Sequence, residues 1–325
     1  MTTVENEALA AELAKSDAPV LRRLRLDLST RLGLALAALF VLMALMGPSL
    51  APYDPLATSS ERVARPSLRH ILGTDGLGRD LFSRILSGAR LSLGTTVAAA
   101  VLVTLVGVTI GTLAGFSGGL VDSICMRAVD SVLTIPALIL ALAITSMFDP
   151  GLVPVMLGLV AVVWAGYARI VRGLVMALKE RSFLDAARAS GAGPLRLVLR
   201  HVLPNIVSPI VVLATIEFGH LLLAISTLTF LGLGPPPPTP EWGAMLNDGR
   251  TYFLSDPLVA LVPGCTISLA VLAFNLVGDG LSDALDPRLA GQLPLRSWRR
   301  PRLTRLRRAT TTGPPPSGGR ARAGD

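Results

Sequence analysis

Six apolar stretches dominate this chain and restrict it to one class of fold. Leu32–Tyr53, Leu91–Phe116, Ser131–Phe148, Leu152–Ala168 and Pro257–Gly278 carry no charged side chain, and a stretch from Ile206 to about Leu233 is interrupted only by Glu217 and His220. Each is near or above the ~18 to 20 residues that carry a helix across a hydrocarbon core. Backbone in lipid must satisfy its own hydrogen bonds, which an apolar run does as a helix. The expected fold is an all-α membrane protein with six transmembrane helices. Composition agrees, because 51% of the 325 residues are hydrophobic and only 16% are charged. That is too little charge to solvate a globular surface.

The first run is expected to stay in the mature chain. It is preceded by 31 residues and is longer than the apolar core of a cleavable signal. With the N-terminus inside, 23 of the 30 lysines and arginines fall on the cytoplasmic side, a bias that favours both termini in the cytoplasm of a bacterial-type inner membrane. The loop after the first span resists the rule, since Arg62, Arg65, Arg69, Arg79, Arg84 and Arg90 would face outward. Within it "RDLFSRILSGAR" sets Leu81, Phe82, Ile85, Leu86 and Ala89 on one helical face. That pattern suits either a helix in the outer interface, with arginines reaching headgroups, or one packed on the protein's own outer surface. Local kinks are expected at Pro136, Pro154 and Pro263, and close helix packing at Gly107, Gly111 and Gly115.

Cys125 and Cys265 have no partner at ligand spacing and read as small packing residues, with neither disulfide nor zinc site. Net charge of +8 sits mainly at the chain ends and in one interior segment. Topology and lipid attraction account for it better than nucleic acid does. The leader 1–31, acidic through Asp17, and the arginine-rich tail 287–325 read as disordered cytoplasmic flanks of a domain at 32–286.

Between the fourth and fifth runs lies a soluble insert, "RSFLDAARASGAGPLRLVLRHVLPN". Ser182 and Asp185 have capping-box spacing, predicting a helix from Phe183. Gly191 suits a left-handed helix end, and Gly193-Pro194 a restart. Leu195, Val198, Leu199 and Val202 share one face of the second helix, with Arg196 and Arg200 on another. Pro204 is expected to stop that helix before the fifth span. By amphipathicity alone the insert is either a linker lying on the membrane or an element that docks into a partner.

The order of residues resembles something narrower. Asp185, Ala186, Ala187, three residues, Gly191 and the closing Leu203-Pro204 are similar to the coupling loop of permease subunits of ATP-binding-cassette importers, with Asp where that pattern has Glu. "LGTDGLGRDLFSRILSGARLSL", "GGLVDSICMRAVDSVLTIPALILAL", "FLGLGPPPPTPEWGAML" and "DGLSDALDPRL" resemble the same family in the same order, over about residues 30–290. Together they look like the second permease of dipeptide, oligopeptide or nickel importers. The resemblance implies a coupling loop at 179–204 built on Ser182, Asp185, Ala186, Ala187, Gly191, Leu195, Val198, Leu203 and Pro204. It also implies a related permease as partner, two cytoplasmic ATPases and an extracytoplasmic binding protein.

The chain has no Gly-x-x-x-x-Gly-Lys-Ser/Thr loop, so it is expected to be non-catalytic and to bind no cofactor, with ATP and magnesium on the partner ATPases. Peptides are the leading substrate class and nickel the alternative. Glu217 and His220, three apart in the fifth run, form either part of the translocation path or a polar contact with the partner permease; a single His assigns no metal. A self-sufficient secondary transporter would need more such groups and inverted repeats. The loop "GPPPPTPEWGAMLNDGRTYFLSDP" is stiffened by proline and serves as a passive connection, a contact for the binding protein or a gate.

Overall fold

The computed structural model describes residues 27–285. The expectations for the basic tail, for the leader before residue 27 and for the end of the last matching stretch fall outside them. Among the described residues the chain is helical, with a single isolated bridge between Thr74 and Asp80. The helices are α1 (Leu28–Leu50), α2 (Leu81–Ser117), α3 (Gly119–Leu133), α4 (Ala137–Thr145) and α5 (Leu152–Lys179). They continue as α6 (Ser182–Ala189), α7 (Pro194–Leu197), α8 (Leu203–Leu228), α9 (Trp242–Arg250) and α10 (Leu258–Leu285). A π-turn at Val198–Val202 joins α7 to α8, so that the chain runs as one long rod from Pro194 to a kink at Gly232, where φ is +92.

Five of these rods are long and apolar enough to cross a membrane, and α3 with α4, bent by 85° at the break between them, brings the number to six when the pair is counted as one span. The kink expected at Pro136 takes the form of a full break between α3 and α4. Pro136 lacks a donor for the preceding turn and crowds Ile135 out of helical geometry, so the helix ends at Leu133 and restarts at Ala137. Pro154 falls in the first turn of α5, where no intrahelical donor is needed, and Pro263 lies inside a helix that continues past it.

The second span begins ten residues earlier than its charge-free core. Asp80 caps α2 by accepting from the Ser83 amide at 2.8 Å, and Leu81, Ile85, Ala89 and Leu93 are buried against Phe40 of α1 and Trp242 of α9. "RDLFSRILSGAR" is therefore the start of a spanning helix packed on protein, and the interfacial alternative falls. Arg84 reaches no headgroup. It is 1% exposed, and its Nη1 donates to the carbonyls of Pro55 and Pro238, each at 3.2 Å.

Helix α2 lies along α5 with almost no side chain between them. A methyl group on Gly107 would sit 2.8 Å from Tyr167 Cβ, one on Gly111 2.5 Å from the Ala168 carbonyl and one on Gly115 2.9 Å from the Arg172 carbonyl. The small-residue stripe thus marks backbone contact, as its spacing implied. One apolar core joins α2, α4, α5, α8 and the helix pair after α5; a second joins α1, α2, α8, α9 and α10.

Candidate functional site

The insert forms two short helices with a bend, attached at one end of the bundle. The capping box is absent: α6 begins at Ser182 itself, Arg181 holds the cap position, and no side chain caps it. Asp185 instead pairs with Arg188 at 2.8 Å, one turn on. The start is fixed by packing, because Leu184 is wholly buried in the core shared by α5 and α8.

The end of α6 is a Schellman motif. Gly191 has φ +82, its amide donates to the Arg188 carbonyl at 2.9 Å, and the Ala192 amide donates to the Ala187 carbonyl at 3.1 Å. Ala187 and Ala192 pack half-buried against the same core. Pro194 opens the next helix. Pro204 does not stop it. The chain widens into the π-turn just before the proline, with the Leu203 amide donating back to Val198, and the missing proline donor is absorbed without a break.

The expected apolar face divides in two. Leu197 and Val202 point into the bundle core beside Leu184, and Val198 and Leu203 are half-buried. Leu195 and Leu199 are 70% and 57% exposed, and Phe183 is 41% exposed. Ser182, Asp185, Ala186, Gly191 and Pro204 are exposed as well. The pair is therefore fastened on its inner side and presents an apolar patch, among Arg188, Arg196 and Arg200, on its outer side.

Ionisable groups also lie along the spans. Glu217 and His220, midway along α8, stand 3.8 Å apart with side chains 27% and 64% exposed. Arg172 holds Asp122 through Nε and Nη2, the latter at 2.6 Å, and Arg169 pairs with Asp130 of the bent span. These α3–α5 pairs join residues 39 and 50 positions apart, so no local spacing revealed them. Lys179 Nζ donates to the Phe116 carbonyl at 2.8 Å and ties the end of α5 to that of α2.

At the opposite end, the segment after α1 and the segment before α10 form a cap. Trp242 is fully buried with Nε1 donating to the Ile85 carbonyl at 3.1 Å. Glu241 caps α9 through the Ala244 amide and accepts from the Ser92 hydroxyl at 3.1 Å. Asp75 binds Arg79 Nε at 2.6 Å and lies 3.6 Å from Arg84 Nε. His70 stands between Asp80 at 2.9 Å and Glu61 at 3.8 Å. Burial holds the Asp248 carboxyl above the usual carboxylate range, although Arg79 pulls the other way. The proline-rich loop is thus part of a packed cap in which Glu241, Arg79 and Arg84 are buried.

Both cysteines are free; Cys125 is half-buried and Cys265 exposed, so Cys265 is not the packing residue expected. Among the described residues no group of three or more His, Cys, Asp or Glu is placed to hold a metal ion.

Comparison with known proteins adds to this geometry. Residues 107–291 match the family described as binding-protein-dependent transport system inner membrane component. The chain is 44% identical over 262 residues to the nickel transport system permease protein NikC of Escherichia coli (strain K12), covering 80% of this chain and 95% of that one. It is 44% identical over 264 residues to the di/tripeptide transport system permease protein DppC of Pseudomonas aeruginosa (strain UCBPP-PA14), covering 79% and 87%. To the dipeptide transport system permease protein DppC of Alkalihalophilus pseudofirmus it is 41% identical over 258 residues, covering 79% and 85%.

Proposed function

Because the chain belongs to the family of binding-protein-dependent transport system inner membrane components, we propose that its bent helix pair is the element through which partner ATPases drive transport. The chain is a permease subunit of an ATP-binding-cassette importer of the peptide and nickel type, and works with ATPase and binding-protein partners. In this reading two ATPases bind ATP and magnesium and hydrolyse the nucleotide on the helix-pair side, which is the cytoplasmic side and carries both termini. A related permease completes the path, and an extracytoplasmic binding protein docks at the cap.

The observation that carries the proposal is the division of the pair's apolar residues. Leu184, Leu197 and Val202 anchor it to α5 and α8, while Phe183, Leu195 and Leu199 stay exposed on the far side. A membrane-surface linker has no need of a rigid inner attachment. A lever has, because a nucleotide-driven shift of the ATPases must reach the spans as rigid-body motion. Burying two leucines in a groove contributes about 1.5 to 3 kcal/mol each.

Replacing both by glutamate, Leu195→Glu with Leu199→Glu, is expected to leave the permease folded and to abolish co-purification of the ATPases. Co-purification at the wild-type level would return the insert to the status of a linker. Arg169 and Asp130, both more than half exposed on spans, support a face of α3 and α5 turned away from lipid, since an ion pair in hydrocarbon is costly. Glu217 and His220 support the same for α8.

Peptide is the proposed substrate class. The nickel reading is favoured by the equal identity to a nickel permease and by His220 beside Glu217. Uptake by the complete importer of a labelled dipeptide against labelled nickel decides between them.

A further inference from the structure

We propose that the cavity in the cap, floored by Arg79 and Arg84, is a receptor for a carboxylate group. The cavity holds about 340 Å³ and is also lined by Asp75, Asn247, Asp248 and Tyr252. Two guanidiniums are buried in its wall, at 3% and 1% side-chain exposure, against one buried carboxylate, Asp75, at 6%; Asp248 is 36% exposed. The local balance is positive.

Arg84 spends its Nη1 on backbone carbonyls. Arg79 places Nε on Asp75 and Nη2 at 3.5 Å from Asp248, and its Nη1 has no hydrogen-bond partner among the described residues. A buried guanidinium nitrogen without an acceptor is costly, and the planar two-oxygen acceptor that matches a guanidinium edge is a carboxylate. The two aspartates narrow the choice further. With Arg250, also in the lining, the wall carries three guanidiniums against these two carboxylates, and a monoanion is the charge that balances it. Asn247 supplies a neutral donor, and a cavity of this size admits an amino-acid-sized group.

Two sources carry that chemistry, the terminal carboxylate of a short peptide and the acidic side chain of a protein docked on the cap. The inference does not depend on the role of the helix pair, because its test reads binding by the chain itself.

The test is isothermal titration of the full chain in lipid nanodiscs at constant ionic strength. Sodium acetate is expected to bind saturably, with a dissociation constant on the order of 1 mM, while acetamide and sodium chloride do not. Arg79→Gln weakens acetate at least tenfold, the scale of a lost charged hydrogen bond. Should that variant misfold, Leu77→Trp at an exposed lining position narrows the cavity without touching the buried ion pairs and has the same effect.

Glycyl-leucine against its C-terminal amide, and N-acetyl-aspartyl amide against its asparagine counterpart, identify the source. The first acid bound in preference points to peptide termini, and the second to an acidic protein side chain. Absence of saturable acetate binding, equal binding of acetamide, or undiminished affinity in Leu77→Trp overturns the proposal.

Discussion

Gly191 offers the sharpest perturbation of the proposed lever, because its substitution cost can be isolated. At φ +82 it occupies the left-handed region, and a Cβ there would meet no atom within 4 Å. No packing term therefore contributes. An alanine pays only the left-handed penalty, ~1–2 kcal/mol, which lowers the ratio of bent to unbent pair by roughly 5- to 30-fold. Asparagine tolerates this conformation better and should lose less. Proline fixes φ near −65° and removes the amide that bonds Arg188, so it forbids the bend outright. Binding-protein- and substrate-stimulated ATP hydrolysis by the reconstituted importer is expected to fall in the order wild type, Gly191→Asn, Gly191→Ala, Gly191→Pro. Co-purification of the permease pair confirms that each variant assembles. Equal stimulation in wild type and an assembled Gly191→Pro importer would refute the argument that the bend transmits coupling.

Three further outcomes follow from the packing. Arg84→Leu leaves the carbonyls of Pro55 and Pro238 and the carboxylate of Asp75 short of a donor; the loss should be about 3–5 kcal/mol, read as a collapse of the folded fraction in detergent by size-exclusion chromatography. Gly111→Val forces atoms into a site where even a Cβ lies 2.5 Å from the Ala168 carbonyl, and should cost at least ~1–3 kcal/mol, seen as a lowered midpoint of thermal unfolding. Asp248 has its carboxyl raised by burial in the folded chain, so between the unfolded and folded values the folded state binds more protons and stability increases as pH falls. Asp248→Asn should flatten that part of the profile; an unchanged slope would mean another group titrates there.

The spans were legible because apolar runs of this length have one structural solution in lipid. The small-residue stripe was legible too, since glycines four apart on an apolar helix mark a close approach. What escaped were interactions between distant residues. Pro204 reads as a helix stop by local rules, yet buried Leu197, Val202 and Ile206 on either side hold the rod continuous and the π-turn accommodates the proline. Ser182 and Asp185 have the spacing of a capping box, but Leu184 sets the start of α6 by packing and leaves Asp185 free to pair with Arg188. Two of the six arginines that violated the charge rule are explained the same way. Arg79 and Arg84 are sequestered inside the cap, so they take no part in the balance of charge across the membrane.

The attachment of the helix pair also constrains how motion can pass through the chain. Leu184, Leu197 and Val202 share one core with Val171 and Val175 of α5 and with Ile206 and Ile210 of α8, so displacing the pair displaces both spans. α5 in turn carries α2, because backbone contact at Gly107, Gly111 and Gly115 leaves no side-chain layer in which sliding could be absorbed. The broken span α3–α4 differs. Its first half, α3, buries only Val129, packed on Ala165 and Ala168, and is fastened to α5 by the Asp122–Arg172 and Asp130–Arg169 pairs, whereas α4 packs on α5 through buried Ala141 and Thr145. A rigid group of α2, α4, α5 and α8 moved by the pair, against an α3 held largely by ion pairs, places the compliant joint of the bundle at Thr134–Pro136. Substituting Pro136 by alanine should straighten and stiffen that joint, slowing transport while leaving ATPase docking intact; transport at the wild-type rate would place the compliance elsewhere.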